Sequence, residues 1–578
     1  MLKQRKIIFV LVSLLLFCNL VISDSIFDQI NPREINIISQ EINQSEQDNS
    51  ERKLQSSTIR FSYDDFLIKT IQNTFVQKII INTVKVAFNF YEQFIQVKNP
   101  VVGEFKVQDC YSGGNVPEQF KKTIKNSDMH FILGASFDNQ QWIARAGACN
   151  LLQGDNRPVV GVIEFNLKFL PIQDGASFSN YQQIQLVKVA IHEMFHALAL
   201  NLSLYPYYVN IKQDQYGKNK DGQPFLALPE ILSFAQNHFG CDKITQVFLE
   251  NSGGEGTAEF HWKKSLFYQD IMTGYMTSGD LVWSGINNAL LKDSGWYDVK
   301  MDFQEQLYWG KNKGCDFYFK TCDTIPAPKE YCNPNDINLP NTGFNYEGFN
   351  FQCQKTLLDD KCYYSLSVKS QSCYGRVDKS NIEENKLEKA GSSFGWSSKG
   401  ITSNLSPVGS IGFLDTMQAQ CYPQQCIQRN GKISIEFTIG SKINKVQKVI
   451  CENDGQIITG IDGYTGKLVC PKISDFCEQQ FNCKNHCKGR GFCMKQKCYC
   501  AKGYSGDDCS IINTGETQSL EAIDSLCSLY DDEGFCQSCN KGIKLNGGQC
   551  ASPSSASVTT SSILMIKFTL FIILCLLF

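Results

Sequence analysis

A chain of 578 residues, 42% of them hydrophobic, is long enough for several domains and at least one sizeable core. Its 55 lysines and arginines against 58 acidic residues, a formal net charge of -3, exclude the basic balance that a nucleic-acid partner demands. Twenty-six cysteines beside six histidines exclude a chain of zinc fingers and indicate a compartment in which disulfides persist.

The N-terminus carries Lys3, Arg5 and Lys6, then an apolar run from Ile7 to Phe17 extending towards Ile22, and small residues that allow cleavage after Ser23. This pattern predicts a secretory signal over residues 1–23. Cys18 falls inside it and Cys575 in the last apolar stretch, which leaves an even 24 cysteines between them. Residues 24–104 contain no cysteine. A polar stretch from Ser39 to Ser57 precedes an apolar periodic run from Phe66 to Phe94, suited either to a pro-region shielding a site or to an ordinary N-terminal subdomain.

A catalytic unit is expected over residues 105–300. Within it Val159 to Phe165, VVGVIEF, reads as a strand, either buried in a core or at an edge where an extended peptide could add by main-chain hydrogen bonds. A helix is predicted over roughly Asn180 to Leu200, because Ile184, Val187, Ile191, Met194 and Leu198 recur at spacings of three and four. It contains His192, Glu193 and His196 in an H-E-x-x-H arrangement. Two imidazoles four residues apart share one helix face and can grip one zinc ion, while the glutamate between them can take a proton from the attacking water.

A catalytic zinc needs a third protein ligand, and ALALNLSLY, which follows the second histidine, supplies none. His130 lies in the strand-like MHFILGA and His486 inside a cysteine repeat. His238 in AQNHFGC stays open, and His261, opening HWKKSLFYQDIMTGY after a glycine-rich segment, is the better candidate. The interval 201–259 is too long for a simple loop and is expected to hold its own helices, for example Leu228 to His238, forming a wall of the cleft. Asn201, Asn404 and Asn43 each begin a glycosylation sequon.

Residues 301–475 hold cysteines among turns and short β-like runs such as Lys432 to Thr438, which predicts a disulfide-braced, β-containing domain. From Cys483 the spacing is C-x3-C-x5-C-x4-C-x-C-x8-C, ending CYCAKGYSGDDC, and residues 476–512 resemble an EGF-like module. Cys527, Cys536, Cys539 and Cys550 fit a last small braced segment over 513–550. Residues 551–578 pass from small hydroxylated residues into an apolar run from Ile563 to Phe578, broken by Lys567. That order predicts attachment to a membrane, through a removable glycosylphosphatidylinositol signal or through a helix.

HEMFHAL at His192 to Leu198, His261 sixty-five residues beyond His196, and Met272 eleven beyond His261 together resemble the leishmanolysin (peptidase M8) family of cell-surface metallopeptidases. GVI at Gly161 to Ile163, FGCD at Phe239 to Asp242, QDIM at Gln269 to Met272 and WGKNKGC at Trp309 to Cys315 are similar pieces in the same order. The resemblance implies a multidomain α+β protein: a metzincin-like zinc peptidase domain followed by disulfide-rich, β-containing C-terminal domains. It assigns His192, His196 and His261 as ligands of one catalytic zinc ion, Glu193 as the catalytic residue and Met272 as the floor beneath the metal. Tyr268 or Tyr275 could donate to a developing oxyanion.

Three features depart from the family pattern. Position 199 is alanine where glycine is usual, so the helix is expected to end at a left-handed Asn201 or in a strained turn. Met276 is a second methionine near Met272, and residues 24–104 offer no thiolate to block the metal. The preferred expectation is a zinc endopeptidase on the outer face of the plasma membrane, released forms included, cutting proteins bound in extended form. The alternative is a surface adhesion protein that keeps the scaffold with weak or no catalysis, although such a protein has no need of Glu193.

Overall fold

The computed structural model describes residues 35–41, 56–109, 116–170, 178–254, 256–275, 281–325, 329–333, 342–349, 351–355, 362–367, 371–375, 382–409, 416–440 and 445–513, and four short strands between 527 and 551. The expected signal peptide, the Asn43 sequon, Met276 and the C-terminal apolar tail lie outside them. No described helix is long and apolar enough to cross a membrane.

A five-stranded sheet carries the first half of the chain: β1 (Asn36–Ile38), β2 (Phe61–Asp64), β3 (Met129–Ser136), β4 (Ala144–Leu152) and β5 (Pro158–Asn166), in the order β1-β4-β5-β3-β2. β5 runs parallel to β3 and antiparallel to β4. The predicted strand is therefore the central one, buried along its whole length, and not an edge. The open edge belongs to β4, because β1 pairs only with Asn150, Leu151 and Leu152. Ala144 to Ala148 has no strand on its outer side among the described residues.

Residues 36–38 and 61–64, from the expected N-terminal segment, are built into this sheet. β1 and β2 supply two of its strands. Helix α1 (Thr74–Glu92), capped by the Asn73 side chain on Phe75 and Val76, packs along helix α2 (Asn180–Leu198). The Tyr91 hydroxyl donates to the Ile191 carbonyl at 2.6 Å, and the Gln183 amide to the Thr83 hydroxyl at 2.9 Å. Removing this segment would strip α2 of its main helical neighbour.

α2 is buried on nearly every side, its polar Gln182, Gln183, His192, Glu193 and His196 included. Its start is a reciprocal cap: Ser179 Oγ accepts from the Gln182 amide, and Gln182 Oε1 from the Ser179 amide. The helix crosses the sheet where β5 has Gly161. A Cβ there would stand 2.8 Å from Met129, 2.9 Å from Phe131 and 3.1 Å from Ala197 of α2. The missing side chain sets how closely the helix approaches the sheet.

Beyond α2 come α3 (Pro229–Phe239), α4 (Lys264–Phe267) and α5 (Gly285–Asp293). α3 is the helix expected inside the insertion, ended by Gly240 in the left-handed conformation. Cys241–Cys315 ties the insertion to the chain after α5.

The C-terminal half has its own core around Tyr422, Ile435 and Phe437 and a six-stranded sheet: β6 (Ser398–Ser403), β7 (Gln418–Arg429), β8 (Lys432–Ile439), β9 (Gln447–Cys451), β10 (Ile457–Ile458) and β11 (Leu468–Val469), in the order β9-β8-β7-β6-β11-β10. Disulfides Cys322–Cys362, Cys332–Cys353, Cys373–Cys421, Cys426–Cys477 and Cys451–Cys470 brace it. The whole is the multidomain α+β protein expected.

The segment after Cys483 pairs its six cysteines first to third, second to fourth and fifth to sixth: Cys483–Cys493, Cys487–Cys498 and Cys500–Cys509. It is seated on the catalytic unit, not strung out from it. Phe492 packs edge-on to Phe90 of α1, the Asn89 amide donates to the Cys500 carbonyl, and His486 lies tilted against Tyr181 of α2.

Candidate metal centre

His192 and His196 project from the last turns of α2, and His261 comes from the far end of the insertion. Their Nε2 atoms meet: His192 to His196 is 3.0 Å, His192 to His261 is 3.1 Å and His196 to His261 is 3.2 Å. A point about 2.0–2.1 Å from all three, the usual zinc–imidazole distance, lies just off their plane. The three buried imidazoles could thus hold one metal ion.

Each ring is aimed from behind. Nδ1 of His192 donates to the Ile271 carbonyl at 2.6 Å, Nδ1 of His196 to the Leu200 carbonyl at 2.8 Å and Nδ1 of His261 to the Thr257 carbonyl at 2.9 Å. A proton held on Nδ1 leaves the Nε2 lone pair free in all three. Burial reinforces this state by disfavouring the imidazolium. It takes His192 down to about 4 and His261 to about 3, and it holds His196 well below the usual histidine range, with its two neighbours adding repulsion. Three neutral imidazoles are the form that binds metal.

Glu193 sits beside the first ligand and is buried. Burial alone pushes its carboxyl up to about 8, with no hydrogen bond or neighbouring charge contributing. A side chain so uncommitted is placed to hold a proton and to release it. A metal cation at the three nitrogens would favour its carboxylate form.

Met272 is fully buried in the turn that follows His261. Its carbonyl accepts from the Trp262 amide at 3.0 Å and its amide donates to Asp270 Oδ1 at 2.8 Å. Asp270 also takes Nδ2 of Asn287, whose Oδ1 accepts from the Trp262 indole at 2.8 Å. The turn is therefore locked to the segment of His261 by a closed circuit of hydrogen bonds. None of these partners, nor the three carbonyls behind the ligands, was visible in the sequence pattern. The QDIM piece contained two of these residues, Asp270 and Ile271, with nothing to mark their roles.

Several sequence expectations are corrected. Tyr268 is committed elsewhere: its hydroxyl donates to the Ser365 carbonyl, and its ring packs against Trp309 and Tyr364. Tyr275 is half exposed. His238 is no ligand, since Nε2 donates to the Trp309 carbonyl at 2.9 Å and the ring stacks on Phe234. His130 is a strand residue of β3, bonded to Ser62. α2 ends at Leu198 with Ala199 at φ -153°, so neither a left-handed alanine nor a left-handed Asn201 is used. Asn201 is buried, and its side chain accepts from the Ser203 amide at 2.9 Å, so a glycan has no room there. Asn404 is half-buried, its Oδ1 accepting from the Lys467 amide.

Comparison with known proteins agrees with this geometry. The leishmanolysin family (peptidase M8) matches residues 43–342. The leishmanolysin-like peptidase of Caenorhabditis elegans is 24% identical over 477 residues, covering 64% of this chain and 68% of that protein. The leishmanolysin homolog of Crithidia fasciculata is 27% identical over 261 residues, covering 43% and 38%. The ciliated left-right organizer metallopeptidase of Xenopus laevis is 25% identical over 338 residues, covering 54% and 41%. With more than half of its length inside the family match, and with three imidazoles converging where a metallopeptidase needs them, the chain belongs to the leishmanolysin (peptidase M8) family of metallopeptidases.

Proposed function

We propose that the chain is a zinc-dependent endopeptidase acting outside the cell on proteins bound in extended form. The observation that carries this reading is the convergence of three neutral Nε2 atoms beside the uncommitted carboxyl of Glu193. Bound there, zinc would polarise the scissile carbonyl and acidify the attacking water. Glu193 accepts the proton of that water and returns it to the departing amine, so no serine or cysteine nucleophile is required. Met272 packs beneath the ligands, where an adaptable thioether suits an irregular space. Of the two tyrosines, Tyr275 is the one left to donate to the oxyanion, because the hydroxyl of Tyr268 is committed elsewhere.

The open edge of β4 supports an extended substrate. A peptide laid beside Ala144 to Ala148 adds a strand to the sheet, its main chain bonded to the protein whatever its side chains. Export, the outer membrane surface and C-terminal anchoring rest on the terminal sequence patterns and the cysteine count. The alternate pairing of Cys483 to Cys509 supports reading that segment as an EGF-like module.

The test is to purify the full chain from a secreting host, measure its zinc content, and follow cleavage of an unfolded protein with and without a chelator. One zinc per chain is expected, with activity lost on chelation and restored by zinc, and with both lost in His261→Ala. Full activity in metal-free protein would overturn the reading.

A further inference from the structure

Lys264 has no accessible surface, and it stands on α4 three residues beyond His261. Burying an ammonium is costly unless its hydrogens are all taken. Here all three are, by the Tyr268 carbonyl at 3.0 Å, the Thr273 hydroxyl at 3.1 Å and the Tyr275 carbonyl at 2.9 Å. Nζ also stands 4.3 Å over the Tyr268 ring. These acceptors mark the start, the middle and the end of the turn that carries Ile271 and Met272.

The backbone of the same lysine faces the other way. Its amide donates to Glu250 Oε2 at 3.1 Å, and the Glu250 amide donates to the His261 carbonyl at 2.8 Å. One residue is thus bonded through its side chain to the turn whose Ile271 carbonyl aims His192, and through its amide to the segment that presents His261. An apolar side chain could fill this space without burying a charge. What the ammonium adds is a three-point hold on a turn of eight residues that no disulfide among the described residues braces.

We propose that Lys264 is a positioning residue of the metal centre, its ammonium pinning the 268–275 turn so that the Ile271 carbonyl keeps His192 aimed at the other two imidazoles. The proposal rests on the metallopeptidase reading above. It gives a role to a fully buried lysine whose side chain is spent on this turn.

The test uses the full secreted chain carrying Lys264→Met, similar in length and apolar, or Thr273→Val, which removes one acceptor and keeps the lysine. Zinc affinity by competition with a chelating dye, the visible spectrum of the cobalt(II)-loaded protein, and kcat and KM on an unfolded protein are measured beside the melting temperature. Lys264→Met is expected to weaken zinc binding about 10- to 100-fold, the usual effect of losing an outer-shell partner. It should also shift the cobalt bands and lower kcat while KM holds, with Thr273→Val moving each readout the same way by less. Wild-type zinc affinity and an unchanged cobalt spectrum in both variants overturn the proposal, whatever their melting temperatures. If Lys264→Met does not fold, Thr273→Val decides on the same readouts. A wild-type chain that takes up no zinc overturns the metal reading itself, a result distinct from a zinc-loaded wild type whose variants are unaffected.

Discussion

Nδ1 of His196 lies 2.8 Å from the carbonyl oxygen of Leu200, so the segment leaving the metal-site helix turns back to hold the ligand that the helix has just presented. The turn is made without a left-handed residue. Ala199 and Leu200 both donate their amides to the Phe195 carbonyl, and Ala199 sits at φ -153° and ψ -65°, away from the left-handed region that favours glycine.

This geometry reverses the expectation for position 199. No left-handed φ calls for glycine there, and glycine would add freedom to the unfolded chain and remove a fully buried methyl. Ala199→Gly should therefore destabilise by about 1 kcal/mol. Thermal unfolding checks it: a melting temperature raised by the substitution would mean that the turn is left-handed after all.

Glu193→Gln keeps the size of the side chain and removes its ability to take a proton. Because the three imidazoles are aimed by backbone carbonyls and not by Glu193, zinc content should stay at the wild-type level. Turnover should fall by a factor of at least about 10²–10⁴, the range for loss of a general base. Metal analysis and cleavage of an unfolded protein read the two effects separately, and unchanged turnover would remove Glu193 from the mechanism.

What the sequence showed of this site followed from side-chain chemistry and short-range spacing. The H-E-x-x-H pair, the stripe around it and its helix were legible because a helix brings residues three and four apart together. His261 was the better of two open candidates, His238 being the other, and was assigned through the resemblance, by its spacing from His196 and Met272. The carbonyls of Ile271, Leu200 and Thr257 were not, because every residue carries one and only the fold decides which points at a ligand. Nor was the share of Asn36–Ile38 and Phe61–Asp64 in the catalytic sheet, since parallel pairing across some 70 to 110 residues leaves no local signal. VVGVIEF was ambiguous for the same reason: a short apolar run describes burial and is silent on which strands lie beside it.

Gly161 gives a test of how closely the helix must approach the sheet. An added methyl would press on the Phe131 ring at 2.9 Å and on Ala197 Cβ at 3.1 Å, one residue from His196. Gly161→Ala should cost about 1–3 kcal/mol, the usual effect of overpacking a core, and lower zinc affinity by displacing the end of α2. Calorimetry and zinc titration check it. A variant with wild-type stability and affinity would show that Met129 and Phe131 yield without moving the helix.

His486 makes the seating of the cysteine-rich segment sensitive to pH. Its Nε2 donates to the Tyr374 carbonyl at 2.7 Å and its ring lies against Tyr181 of the metal-site helix. Burial is the main cause that lowers its pKa to about 4, with the Lys188 cation adding to it against the pull of the Tyr374 carbonyl. The unfolded chain takes a proton at this histidine near pH 6.5, while the folded chain refuses it until about 4. Its contribution to stability is therefore complete above about pH 6.5 and is lost as pH falls through that window, reaching on the order of 3 kcal/mol at the acid end. Melting temperatures of the wild type and of His486→Asn, asparagine being tolerant of the left-handed backbone at φ 49°, should be compared between pH 7.5 and 4.5. The wild type should lose more stability on acidification than the variant. Parallel curves would mean that His486 takes up its proton equally in the folded and unfolded chains, and that its burial against α2 does not hold it neutral.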